Sequence, residues 1–118
     1  MAAPNIVNVT TITAKTALVA MTTSLSSLLT NSSNSGTVLK INSITYANYT
    51  TAPVTGTALV LRSGTTYYLV GNVSVPANST LIVTGKDTAF YLEEGDAIQG
   101  NASSNSAMSA VIAYEIIS

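Results

Sequence analysis

Three of the chain's five acidic residues fall within six positions, YLEEGD at 91–96: Glu93, Glu94 and Asp96. A fourth, Asp87, lies just upstream. Carboxylates gathered in this way can serve as an acid/base pair, a cation site or a hydrated turn. The chain has no histidine and no cysteine. The usual neutral-pH base, the common zinc ligands and the thiol nucleophile are therefore missing. The serines lack a histidine partner, and no Ser-x-x-Lys motif occurs. Glycosidase carboxylates face each other about 5–9.5 Å apart, whereas adjacent Glu93 and Glu94 in extended chain point to opposite faces. Gly95, between Glu94 and Asp96, signals a turn, and the alternating ligands of a calcium loop are absent. The pattern therefore reads as a structural turn at Glu93, Glu94, Gly95 and Asp96. Gly95 supplies a positive φ, Asp96 accepts a backbone N–H, and the glutamates keep the tip of a hairpin hydrated. A weak cation site joined by Asp87 is the alternative. No catalytic residue, cofactor or metal ligand is assigned, and an enzyme is not expected.

Tyrosine is the dominant aromatic, at positions 46, 49, 67, 68, 91 and 114. Exposed tyrosines would suit a sugar platform or a protein interface, while buried ones would belong to the core. Tyr67 and Tyr68 must face opposite sides of a strand. Asn-x-Ser/Thr triplets begin at Asn8, Asn31, Asn48, Asn72, Asn78 and Asn101. In a chain this rich in Ser and Thr they carry little weight as glycosylation sites.

These residues sit in an unusual background. The 118-residue chain is 47% hydrophobic but only 8% charged, with a formal net charge of -1, against a usual charged share of about 25%. High hydrophobicity argues for a folded domain rather than disorder, and the length suits one domain. A nearly neutral surface favours association, which points to an assembled protein. Four scattered cations, Lys15, Lys40, Arg62 and Lys86, make no basic patch, so nucleic acid is not an expected partner. No apolar run approaches the ~20 residues of a membrane span. The opening MAAPNIVNV lacks the layout of a signal peptide, and the absence of cysteine fits a reducing compartment.

Short β-rich runs punctuated by Gly and Asn recur every ~8–12 residues, the spacing of a sandwich or barrel. Strands are expected at 6–13, 37–49 (with a bulge near 44–46), 57–62, 65–70, 72–75, 80–84, 88–92, 96–99 and 107–117. Ser63-Gly64 marks a hairpin, and Pro76 cannot continue a central ladder. Residues 16–29 carry a helical stripe, but their Thr and Ser content favours two short strands broken near Thr23-Ser24. The expected fold is an all-β antiparallel sandwich of about eight strands, jelly-roll-like or Greek-key. It would occupy residues 9–118, with residues 1–8 as an N-terminal arm.

The segments NIVNVTTITAKTA, VPANSTLIV, YLEEGDAIQ and the ending VIAYEIIS together resemble small β-sandwich structural proteins of tailed bacteriophages, particularly marine and cyanobacterial phages. The resemblance covers nearly the whole chain, through short motifs, and it implies a hairpin at VPANSTL, residues 75–81. It implies a virion component assembled in the host cytoplasm, and most directly a capsid decoration (cement) protein bridging capsomers. The partners implied are the major capsid protein or another virion protein, together with copies of itself, a homotrimer being favoured. A tail, neck or fibre module that contacts the host or binds carbohydrate is the alternative. Because Pro4 holds the first residues extended, Ala2, Ala3, Pro4, Asn5, Ile6 and Val7 are the candidate partner-binding arm, adding to a neighbour's sheet edge.

Overall fold

A computed structural model describes residues 10–118. The proposed arm, residues 2–7, and the first part of the strand expected at 6–13 lie outside the described residues. The structure is an antiparallel β-sandwich of nine strands: β1 (Ile12–Ala20), β2 (Ser26–Thr30), β3 (Val38–Asn48), β4 (Val54–Arg62), β5 (Thr65–Val75), β6 (Thr80–Thr84), β7 (Phe90–Leu92), β8 (Ala97–Ala102) and β9 (Met108–Ile117). One sheet has the order β1-β9-β3-β6, with the short β7 also paired to β3. The other has the order β2-β8-β4-β5.

Setting β7 aside, the antiparallel partners nest as β1 with β9, β2 with β8, β3 with β6 and β4 with β5. A long hairpin wrapped over itself pairs in this way, and the result is a jelly roll. The sequence explains the layers. In β3, Leu39, Ile41, Ile44 and Tyr46 are buried in the core. The step from two to three residues between Ile41 and Ile44 coincides with a register shift against β9 between Ile41 and Ser43. A bulge there keeps both halves of the strand facing inward. β9 contributes Met108, Ala110 and Ile112 on the same side.

Residues 16–29 form no helix. Residues 16–20 finish β1, and β2 begins at Ser26 after a bend that includes Thr23 and Ser24. Ala17 and Val19 pack on the core while Leu18 is exposed, so the period is two and the helical stripe was coincidental.

Three further expectations are corrected. Residues 65–70 and 72–75 are one strand, β5, because Asn72 takes a left-handed conformation (φ 49°). The Thr57 hydroxyl accepts its N–H at 3.0 Å, so the irregularity is absorbed as a bulge. The PANS turn joins β5 to β6 in opposite sheets and is not a hairpin. The EEG turn likewise carries the chain from β7 in one sheet to β8 in the other, so it is an inter-sheet crossover and not a hairpin tip.

Candidate functional site

The acidic turn is built on this crossover. Gly95 has φ 87°, a conformation that costs glycine little. Its N–H donates to the Asn31 carbonyl at 2.8 Å, and the Asn31 N–H donates to the Asp96 carbonyl at 2.9 Å. The turn is thereby stitched to the end of β2. Within it, the Asp96 N–H donates to the Glu93 carbonyl at 3.0 Å, and the Glu93 N–H donates to Asp96 Oδ2 at 2.9 Å.

The three carboxylates have separate tasks. Asp96 is buried, only 2% exposed. Arg62, at the end of β4, donates to it from Nε at 3.0 and 3.1 Å and from a terminal nitrogen at 2.5 Å. That terminal nitrogen also lies 2.9 Å from Glu93 Oε2, at the protein surface. Glu94 turns the other way and accepts the Gly36 N–H at 2.8 Å. Hydrogen bonding to Asp96, opposed by partial burial and reinforced by the charges of Asp96 and Glu93, raises the Arg62 pKa above its ordinary value. The guanidinium is thus a permanent cation that bridges Asp96 and Glu93. A cleft of about 380 Å³ lies over this cluster, lined by Ser33, Arg62, Ser63 and residues 93–96. Among the described residues no group of three acidic side chains is placed to hold a metal.

Arg62 reads in the sequence as one of four scattered cations, and Asn31 as the start of one of six Asn-x-Ser/Thr triplets. Both are central here. The Asn31 side chain donates to the carbonyls of Thr37 and Leu92 at 3.1 Å each, and its Oδ1 accepts from Ser35 and Thr37. Asn48 does equivalent work at the far end of β3. Its amide donates to the carbonyls of Ala52, Val75 and Pro76, and its Oδ1 accepts from Thr50. Buried amides satisfy loop backbone that no ladder reaches. The only sequence signal for either residue is an asparagine closely followed by Thr or Ser near a strand end.

The tyrosines divide. Tyr46 is fully buried and donates to the Thr57 carbonyl of the opposite sheet at 3.0 Å. Burial pushes its pKa far above the ordinary phenol value. Tyr67, Tyr68, Tyr49 and Tyr91 are exposed. Tyr67 and Tyr91, with Val60, Phe90, Arg62 and Glu93, line a second cleft of about 520 Å³ at the open side of the sandwich, between β5 and β7. Large apolar groups also reach the surface away from the clefts, notably Leu18 at 75% exposure and Ile82 at 67%.

In comparisons with known proteins, no family model matches this chain and no curated protein matches it.

Proposed function

We propose that the chain is a structural assembly subunit of a virus particle, most specifically a capsid decoration protein that bridges capsomers on a tailed-phage head. The observation that carries this reading is the exposed apolar surface on a nearly uncharged chain. Leu18, Ile82 and Tyr68 are 75%, 67% and 66% exposed, with a formal net charge of -1 to oppose association. Leu18 and Ile82 lie in one row with Val111 on the outer face of the β1-β9-β3-β6 sheet, and a contiguous apolar face marks an interface. The jelly-roll wind is compatible, since viral capsid domains and lectins use it, although a fold alone does not assign a function. The three clustered carboxylates, Glu93, Glu94 and Asp96, are engaged in holding the β7–β8 crossover. Binding to the assembled lattice would stabilise it over dissociated capsomers by mass action. Residues 2–7 would act as the arm that reaches a neighbour.

A second reading is favoured by the cleft between β5 and β7. Tyr67, Phe90 and Tyr91 offer aromatic surface beside the Arg62–Glu93 pair, a combination that suits a sugar ring. In that case the chain would be a host-contacting module of a tail or fibre. Quantifying the chain in purified particles separates the two. Copies in the hundreds per particle, with no signal on a glycan array, support decoration. Few copies with glycan binding would reverse the choice, and absence from particles would remove both.

A further inference from the structure

We propose that the outer face of the β1-β9-β3-β6 sheet binds a second copy of this chain about a two-fold axis running parallel to the strands, between β9 and β3. The register places Leu18, Val111, Thr45 and Ile82 side by side in one row across four strands. All four point away from the core, because their neighbours Ala17, Val19, Ala110, Ile112, Ile44, Tyr46, Leu81 and Val83 pack inward. Four residues along β1 from Leu18, a second row holds Ala14, Glu115, Lys40 and Tyr91. A third row, at the other end, holds Ala20, Ser109, Ala47 and Thr80.

A two-fold axis between the middle strands exchanges first with fourth and second with third positions in every row. Leu18 then meets Ile82 of the second copy. Glu115 meets Lys40, and Ala14, a small residue, meets Tyr91, a large one. Lys40 and Glu115 are the only charged residues in these rows, and the axis brings them together with opposite sign. In the single chain they are cross-strand partners, yet the ion pairs found among the described residues belong to Arg62. Four strands and the nine residues of β1 outline on the order of 600 Å² in projection. That is close to the ~800 Å² per partner of a standard interface. Stacked sheets lie ~10 Å apart with strands nearly aligned, which this axis satisfies.

The inference deepens the assembly reading and rests on it for a biological purpose, but its geometry can be tested alone. The chain has no cysteine, so Leu18→Cys and Ile82→Cys each introduce a unique thiol. With a short thiol-reactive bis-maleimide, to which each thiol adds as a thioether, an equimolar mixture of the two full-length variants should give a covalent dimer. Each variant alone should give at least 10-fold less. As a second test, Glu115→Lys and Lys40→Glu should each weaken the dimer at least 10-fold by sedimentation, while mixing them should restore it. Equal cross-linking of each variant alone, or no restoration on mixing, would overturn the proposed axis. So would a wild-type protein that stays monomeric at ~100 μM, where a micromolar dimer would be filled. If that monomer were still abundant in particles, the assembly reading would stand without this interface.

Discussion

Gly100 lies directly beneath the hydroxyl of Tyr46. A Cβ built on Gly100 would sit 2.5 Å from Tyr46 Oη and 2.7 Å from the Thr57 carbonyl oxygen that the hydroxyl bonds. The hydroxyl thus crosses the core from one sheet to the other, and the glycine in β8 makes room for it. Gly56, in β4, stands close to the edge of the ring, where a Cβ would come within 2.9 Å of Cδ2. One large side chain is seated against two glycines of the facing sheet, which fixes how the sheets pack.

Gly100→Ala should therefore cost about 1–3 kcal/mol or more through overpacking. Tyr46→Phe should cost about 1 kcal/mol by losing one hydrogen bond. The two should not add. Removing the hydroxyl relieves the closest clash, so Tyr46→Phe in the Gly100→Ala background should cost little. Urea unfolding of the four proteins of this double-mutant cycle measures the coupling. Simple additivity would mean that the backbone at Thr57, not the hydroxyl, sets the clash.

Tyr46 also makes alkaline stability predictable. Its pKa is raised by burial, while an unfolded tyrosine titrates near 10. Below pH ~10 both states hold the proton and stability is unaffected. Above that value only the unfolded state releases it, so stability falls as pH rises. Tyrosinate absorbance should show a step, belonging to Tyr46, that appears only as the protein unfolds. In Tyr46→Phe that late, cooperative step should vanish.

At the acidic turn, the two carboxylates that share Arg62 should differ in weight. Asp96 is buried and bonds both the guanidinium and the Glu93 N–H. Asp96→Ala leaves that N–H without its acceptor and the arginine with Glu93 alone, and should cost about 3 kcal/mol. Glu93 is largely exposed, and Glu93→Gln should cost under ~1 kcal/mol, with the loss screened by salt. Chemical denaturation at low and high salt checks both. Equal costs would mean that Asp96 is not the anchor of the crossover.

The sandwich was legible because its signals are local. Alternation in β3 and β9, the Ser63-Gly64 turn and the break before β2 all depend on neighbours in sequence. The crossovers were not legible. A turn such as EEG looks the same whether its flanking strands pair or separate into two sheets, and only the core decides that. Arg62 and Asp96 are 34 residues apart, so nothing in either segment announces the other. The buried roles of Asn31 and Asn48 were hidden for the same reason: their partners are backbone carbonyls, which leave no mark in a sequence.

Those two asparagines give a further prediction. Asn31→Asp and Asn48→Asp keep shape but replace an amide donor with an anion facing carbonyl oxygens. Each should lower stability by several kcal/mol, on the order of 3, at opposite ends of β3. Thermal unfolding gives the size, and hydrogen exchange should locate the loosening at 31–37 and 92–96 for the first and at 48–52 and 75–79 for the second.

The most direct test of the assembly role is an electron cryomicroscopy reconstruction of purified particles that contain this chain. Ordered two-sheet density on the outside of the head, in many copies at capsomer junctions and with its neutral sheet face covered, is the predicted result. Density confined to a few copies at the tail, with that face open to solvent, would contradict it.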